Sequence, residues 1–97
     1  MKITKKEIIK KIERNKHKIK KFRVKKIGLF GSYLKNKQTK KSDIDFLVEF
    51  EKPSFDNYAE LLILLEEIFS KKIDLITLES LRPELNYIKK EVEYARV

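Results

Sequence analysis

The feature that most constrains this chain is a Gly31-Ser32 break between two apolar runs. The run from Phe22 to Phe30 ends with consecutive apolar positions, which is typical of a strand that is covered on both faces. The run from Asp43 to Phe50 alternates between two sets of side chains, as a strand does. Because only ten residues separate Ser32 from Asp43, we expect the two strands to pair antiparallel.

Two helices are indicated on either side of this strand pair. Thr4 is followed three positions later by Glu7, the pattern of a capping box, which predicts that a helix begins near Lys5. Isoleucines recur at helical spacing in that segment, and lysines fill most of its other positions. Residues 56–70 carry a wide apolar face, which predicts a second long helix that covers the sheet.

The last third of the chain predicts one more strand and one more helix. Residues 73–77 form a short apolar run, and their helical link to the second strand favours a right-handed parallel crossover. Ser80 is a candidate cap for a final helix with Pro83 in its first turn and Leu85, Ile88 and Val92 as its buried stripe. The predicted order is α-β-turn-β-α-β-α. We therefore expect an α/β (α+β) fold with a small mixed three-stranded sheet.

Composition limits the class of protein. A chain of 97 residues is expected to form one domain. It has no cysteine, which excludes disulfides and thiolate metal sites. No apolar stretch approaches the roughly 20 residues of a membrane span, and residues 1–6 lack the apolar core of a signal peptide. A cytoplasmic protein without a membrane partner is the expectation.

The charge is unevenly distributed. The net charge is +9, yet residues 1–41 carry 17 Lys or Arg and two acids, whereas residues 42–97 carry seven basic and 13 acidic residues. The basic part could contact a nucleic acid, a polyphosphate or an acidic protein. It could equally be a solvated, lysine-rich helix surface, and the sequence leaves both interpretations open.

Three carboxylates form the candidate catalytic group. Asp43 and Asp45 are two positions apart on a strand, so their side chains leave the same face roughly 7 Å apart. Asp74 reaches the same place if the third strand lies beside the second. Because Asp74 interrupts an apolar strand, where an unpaired buried charge is costly, it favours a cation partner. Mg²⁺ prefers such oxygen ligands together with substrate phosphates, and one acid can take the proton of an attacking hydroxyl. The alternative is ordinary acids on a wet face.

The Gly31-Ser32 break could bind phosphate. Glycine lets the backbone approach a ligand closely, backbone amides at the start of a helical turn bind anions, and the Ser32 hydroxyl adds a donor. The turn continues through Lys35, and Asn36 tolerates the left-handed backbone that would end it. The alternative is a plain turn with a serine cap. Tyr33 could stack on a base or simply pack.

The combination resembles a known family. Phe30-Gly31-Ser32-Tyr33 and the later Ser42-Asp43-Ile44-Asp45-Phe46-Leu47-Val48 are similar to the signature of the minimal nucleotidyltransferases of the DNA polymerase β superfamily. The strand Ile73-Asp74-Leu75-Ile76 matches the third carboxylate of that family. Leu81-Arg82-Pro83-Glu84-Leu85, with Ile88, Glu91 and Tyr94, resembles its C-terminal helix. The resemblance implies a single minimal nucleotidyltransferase domain over residues 1–97.

The resemblance also assigns roles to residues. It implies that Gly31 and Ser32 hold the nucleotide phosphates and that Asp43 and Asp45 bind Mg²⁺, with two ions expected. Asp74 would complete the metal site or act as the base. Where many relatives continue with Ala-Arg-Gly, this chain has Leu34-Lys35-Asn36, so Lys35 would supply the charge without the planar fork of arginine.

The family resemblance further implies a partner. Such domains are often the antitoxin of HEPN–MNT toxin–antitoxin pairs, which implies transfer of AMP from ATP to a hydroxyl of a HEPN toxin. One alternative is an antitoxin that neutralises its toxin by binding alone, and another is a basic nucleic-acid-binding module. A homodimer is compatible with so small a core. The base preference and the acceptor residue are not determined by the sequence.

Overall fold

The computed structural model describes residues 3–97. The first helix begins where the capping sequence predicts it, and α1 spans Lys5–Arg14. The Thr4 hydroxyl oxygen accepts a hydrogen bond from the Glu7 backbone N–H at 3.3 Å and donates to Glu7 Oε1 at 3.1 Å. The short helix α2, Lys16–Lys20, follows. The prediction that residues 1–6 lack the apolar core of a signal peptide rests partly on Met1 and Lys2, which lie outside the described residues.

The sheet confirms both predicted strand pairings. β1 spans Val24–Phe30 and pairs antiparallel with β2, Ile44–Phe50. β2 pairs in parallel with β3, Ile73–Thr77, whose bounds are those predicted. β1 begins two residues later than predicted because a turn precedes it, in which Arg23 has a left-handed φ of 64°. The sheet order is β3-β2-β1-β4, so β2 is an interior strand and β3 is an edge strand.

The prediction of a three-stranded sheet is wrong by one strand. The two-residue strand β4, Glu93–Tyr94, pairs antiparallel with Gly28 and Leu29 of β1. A Cβ atom at Gly28 would lie 2.9 Å from Tyr94 Cδ1 and 3.1 Å from the Glu93 carbonyl oxygen. The missing side chain at Gly28 therefore allows β4 to approach. A strand of two residues is too short to show a period in the sequence.

The prediction of a single final helix is also wrong. The segment instead contains two 3₁₀ turns, Leu78–Ser80 and Pro83–Leu85, before the four-residue helix α4, Tyr87–Lys90. Ser80 does not cap a helix, because its hydroxyl donates to the Thr77 carbonyl at 3.0 Å. Arg82, which precedes the proline, has the extended backbone that proline imposes on its neighbour. The predicted apolar stripe nevertheless packs inward.

Helix α3, Phe55–Phe69, packs with α1 and α2 on one face of the sheet. The Ser54 hydroxyl oxygen caps α3 by accepting the Asn57 backbone N–H at 3.0 Å, and Ser70 ends it with a left-handed φ of 51°. The main core therefore lies between this helical layer and the sheet. Its fully buried members include Ile8, Ile12, Ile19, Ile27, Leu29, Ile44, Phe46, Val48, Leu61 and Leu65.

The C-terminal segment covers part of the opposite face. Phe30, Leu47 and Ile88 form a second buried cluster there, and the partly buried Leu85 and Val92 pack against it. The acidic side chains at the beginnings of β2 and β3 lie on this same face. Asp43 and Asp45 are only partly buried there, and Asp74 is exposed. No helix within residues 3–97 has the length and apolar character needed to cross a membrane.

Candidate active site

Asp45 and Asp74 meet across the parallel pair of strands. The two residues are direct partners in the register of β2 and β3, so their side chains leave the same face of the sheet. The carboxyl groups are close enough for protonated Asp45 to share a hydrogen bond with Asp74. Asp43 stands immediately before β2, and its charge also acts on Asp45. The structure thus brings the three predicted acids to one edge of the site.

The environment of Asp45 disfavours the ionised form of its carboxyl group. Burial is the largest cause, followed by the charge of Asp74, the hydrogen bond to Asp74 and the charge of Asp43; together they raise the pKa of Asp45 from 3.8 to about 6. Burial disfavours the charged carboxylate itself, and the charges of Asp74 and Asp43 disfavour another negative charge beside them. A bound cation would remove the repulsion.

The expectation that Asp74 is the buried charge is wrong. Asp74 is exposed, whereas Asp45 is partly buried. The reason is topological: Asp74 belongs to the edge strand β3, and Asp45 belongs to β2, which is flanked by β1 and β3. The argument that an unpaired buried charge favours a cation partner therefore applies to Asp45 and not to Asp74.

The donor set suits a hard cation that brings further ligands with it. Within residues 3–97 no three or more His, Cys, Asp or Glu side chains are already arranged around a common metal position. Mg²⁺ commonly binds through one or two carboxylates, waters and substrate phosphates, without a complete protein cage. Asp43 and Asp45 fit that mode, and the repulsion of the Asp45 carboxylate by Asp74 and, less strongly, by Asp43 is the observation that favours a cation there.

Gly31 is required where it stands for two reasons. Its φ of 76° lies in the left-handed region that favours glycine. A Cβ atom there would also lie 3.0 Å from Asp45 Cγ, 3.2 Å from Asp45 Cβ, and against Asp45 Oδ2. The pairing of Phe30 with Asp45 across β1 and β2 sets this contact. The glycine and the acid that the sequence places 14 positions apart are therefore in direct contact.

The turn after β1 is a single closed helical turn. The Lys35 backbone N–H donates to the Gly31 carbonyl at 3.1 Å, and Lys37 N–H donates to the Ser32 carbonyl at 2.9 Å. Asn36 has the predicted left-handed backbone, with φ 58°, so the turn ends in a Schellman motif. Tyr33 is only 2% exposed and belongs to the main core. Its role is packing, so the Tyr33 ring is not available to stack on a base.

Lys35 lies beside Gly31 and contacts the C-terminal segment. Its Nζ is 3.3 Å from Glu91 Oε2, and both side chains are about half exposed, so the ion pair is weak. A cavity of about 120 Å³ adjoins this pair and is lined by Phe30, Gly31, Lys35, Tyr87, Ile88 and Glu91. Tyr87 was not identified from the sequence, since only the tertiary packing of α4 brings it to this place.

A larger cleft of about 590 Å³ lies elsewhere and contains none of the predicted site residues. Tyr58 lines it, and the Tyr58 hydroxyl donates to the Leu75 carbonyl at 2.6 Å. Burial, and then the charge of Asp74, raise the pKa of Tyr58. The smaller cavity, in contrast, shares Gly31 with the turn after β1, and Gly31 contacts Asp45.

Comparison with known proteins adds the family context. A family model described as a nucleotidyltransferase domain matches residues 5–97. "Putative protein adenylyltransferase MJ1379" of Methanocaldococcus jannaschii is 49% identical over 76 residues, which are 75% of this chain and 74% of the relative. "Protein adenylyltransferase MntA" of Thermococcus cleftensis is 37% identical over 75 residues, 75% of this chain and 76% of the relative.

Solved structures share the fold. A structure described as a "putative minimal nucleotidyltransferase" superposes with a TM-score of 0.80 at 22% identity, covering 94% of this chain and 95% of the other. A toxin–antitoxin structure with AMP-PNP has a TM-score of 0.67 at 25% identity, covering 84% and 70%. A complex of a tri-AMPylated Shewanella oneidensis HEPN toxin with an MNT antitoxin has a TM-score of 0.56 at 25% identity, covering 84% and 68%.

Proposed function

The chain belongs to the nucleotidyltransferase domain family, and from that premise we propose that it is a Mg²⁺-dependent enzyme that transfers AMP from ATP to a hydroxyl group of a partner protein. The observation that carries the proposal is the pair of carboxyl groups of Asp45 and Asp74, of which Asp45 lies against the glycine of the Gly31-Ser32 turn. The naming of two relatives as protein adenylyltransferases supports AMP as the group that is transferred.

We propose a HEPN-type toxin as the partner. Support comes from the structural likeness to an MNT antitoxin in complex with an AMPylated HEPN toxin. The open position of Asp74 on the edge strand also suits a macromolecular acceptor, since a protein hydroxyl can approach it from solvent. The proposal puts the reaction in the cytoplasm, where ATP is available.

The reaction is an in-line displacement at phosphorus. The oxygen of the acceptor hydroxyl forms a bond to the α-phosphorus of ATP, and the bond from that phosphorus to the oxygen that bridges to the β-phosphorus breaks. AMP is then joined to the acceptor, and pyrophosphate leaves. Asp74, exposed beside Asp45, accepts the proton of the attacking hydroxyl as general base.

The other site residues hold the nucleotide. Backbone N–H groups of the turn at Gly31 and the Ser32 hydroxyl donate to phosphate oxygens, and the Lys35 ammonium neutralises their charge. Asp43 and Asp45 would hold Mg²⁺, which supplies the positive charge that stabilises the phosphates during displacement. Lys35 must release Glu91 to reach a phosphate, and a half-exposed ion pair opposes that movement little.

The test is transfer to a candidate HEPN-type partner, which is sought as the product of the gene next to the gene of this chain. The purified chain is incubated with that protein and Mg-ATP, and the intact mass of both is measured. We expect the partner to gain AMP, and we expect the double variant Asp43→Asn with Asp45→Asn to lose transfer by more than a hundredfold. Asp56→Asn, at an exposed position in the first turn of α3, is the matched control and should transfer normally. An unchanged partner mass with the wild-type chain would contradict the proposal.

A second measurement separates catalysis from neutralisation by binding alone. The double Asn variant is expressed in cells together with the toxin. Loss of protection shows that transfer is required. Full protection by a variant that binds the toxin but transfers no AMP would favour the binding-only antitoxin.

A further inference from the structure

A concentration of positive charge surrounds α2 in the helical layer of the fold. From residue 14 to residue 42 the chain contains no Asp or Glu. Within α2 only Ile19 is buried, so the other side chains of this helix are directed to solvent. The basic surface is defined by six exposed cationic side chains in and beside α2: Arg14, Lys16, Lys18, Lys20, Lys21 and Arg23.

The basic surface has no ion-pair partner among residues 3–97. Both salt bridges found within that range involve other lysines. Glu13, the nearest acid along the chain, instead accepts a hydrogen bond from the Arg96 backbone N–H at 3.0 Å. Like charges four positions apart on a helix repel each other, as the charges of Lys16 and Lys20 do. A bound polyanion would relieve this repulsion.

Part of the basic surface borders a cavity of about 320 Å³. The cavity is lined by Lys16, His17 and Lys20 of α2 and by Arg96 and Val97, which follow β4. Lys16 and Lys20 are one helical turn apart, and an arginine guanidinium can donate two parallel hydrogen bonds to a phosphate. Three permanent cations from two distant parts of the chain are therefore available to phosphate oxygens at one place.

The basic surface ends at an acidic groove. Phe22 and Ile63 line this groove together with Glu60 and Glu67 of α3. These two carboxylates repel a polyanion. The binding surface is therefore restricted to α2 and its immediate neighbours in the chain.

The composition of the basic surface favours a nucleic acid over a protein or a membrane. The exposed large hydrophobic side chains of residues 3–97 are Phe55, Ile63, Tyr87 and Tyr94, and none of them lies within residues 14–23. A protein interface has a core from which charged residues are depleted, and a membrane-bound helix needs an apolar face that enters the lipid. Proteins bind single strands by stacking bases on aromatic rings. The phosphate backbone of a duplex needs only cations.

We propose that the basic surface binds the phosphate backbone of a nucleic-acid duplex, whatever the base sequence. This is a second binding activity of the chain. It does not rest on the proposed function, because the three acids and the Gly31-Ser32 turn lie outside the basic surface. Since the six cations surround a helix, one duplex contacts only those on one side, and we expect about four phosphate contacts.

The test measures binding of a fluorescent DNA duplex of about 20 base pairs by anisotropy, between about 50 and 200 mM salt. With about four contacts, the affinity of the wild-type chain should fall roughly 150-fold over this range. Lys16→Gln with Lys20→Gln removes two contacts, so the fall should shrink to about 12-fold, and the affinity at the lower salt concentration should decrease by more than about tenfold. A duplex of unrelated sequence should bind equally well.

The control is Lys89→Gln with Lys90→Gln, which removes the same charge at two exposed positions of α4. This variant should bind the duplex as the wild type does. Because Lys16 and Lys20 are exposed and repel each other, their replacement should not lower the Tm. Thermal unfolding therefore verifies that a loss of binding is not a loss of folding.

Four results would overturn the proposal. One is a wild-type chain that does not bind the duplex at the lower salt concentration. Another is Lys16→Gln with Lys20→Gln that binds the duplex with wild-type affinity. An equal loss in both double variants would show that only the net charge of +9 attracts the duplex. Tighter binding of the single strand, of polyglutamate or of anionic phospholipid vesicles than of the duplex would assign the surface to another class of partner.

Discussion

Replacing Asp45 by Asn is expected to stabilise the metal-free protein at neutral pH while it abolishes transfer. In the folded chain burial and the two neighbouring acids raise the pKa of Asp45 from 3.8 to about 6. The folded protein therefore keeps a proton between pH 4 and 6 that the unfolded chain has already released. Stability contributed by this group falls as the pH rises through that window, because the unfolded state binds fewer protons there.

The size of the effect follows from the shift in pKa. At about 1.4 kcal/mol per pH unit, a change from 3.8 to about 6 corresponds to an upper limit of roughly 3 kcal/mol. Because Asp45 is only partly buried, solvent screening reduces this to about 1 to 2 kcal/mol. The asparagine side chain has nearly the same shape as the aspartate it replaces, carries no charge, and has an amide that can donate to the Asp74 carboxylate. The variant should therefore recover most of that free energy.

The assay is urea unfolding in the presence of a chelator, at pH 4 and at pH 8. We expect Asp45→Asn to exceed the wild type by about 1 to 2 kcal/mol at pH 8, equivalent to a rise of at least roughly 4 °C in Tm, and to match it at pH 4. Asp56→Asn is the control, and it should lose a few tenths of a kcal/mol because an acid in the first turn of a helix is stabilising. No gain at pH 8, or an equal gain at both pH values, would refute the raised pKa of Asp45 in the folded chain.

Two further predictions concern the glycine and the cation. Gly31→Ala should lower the free energy of unfolding by about 1 to 3 kcal/mol through its left-handed backbone and the collision with Asp45, and it should weaken ATP binding more than tenfold. Gly28→Ala, which collides with Val92 and Tyr94 instead, should be destabilised yet retain ATP affinity. The reverse pattern in calorimetry would contradict the role of Gly31. Millimolar Mg²⁺ should raise the Tm of the wild type at pH 8 by relieving the repulsion at Asp45, but not that of Asp45→Asn, and an equal rise in both proteins would show that the ion binds elsewhere.

The predictions from the sequence succeed where the signal is local or periodic. The capping pair Thr4 and Glu7 positions the first helix, and a run of five residues positions β3 with its correct bounds. The left-handed Asn36 follows from the conformations that asparagine tolerates. These features depend on a few neighbouring residues, whose preferences are the same in most contexts.

The predictions fail where distant segments decide the outcome. The sequence predicts one helix for the C-terminal residues, yet β4 forms because Gly28 leaves room for it on β1, more than 60 positions earlier. The apolar neighbours of Asp74 predict that it is buried, but its strand is at the edge of the sheet. Tyr87 carries no signal at all, because its place beside Gly31 depends on the packing of Ile88 against Phe30 and Leu47.

The sequence by itself determined the chemical groups and their approximate elements: a glycine turn after one strand and acids at the start of two others. Strand periodicity and turn chemistry are local, so they can be read without a fold. Only the tertiary structure decided which of the acids has its charged form disfavoured, since burial and electrostatic interaction depend on neighbours in space. The parallel register of β2 and β3 sets Asp45 against Asp74, and the antiparallel register of β1 and β2 sets Gly31 against Asp45. Those two pairings bring residues that are separate in the sequence together in one site.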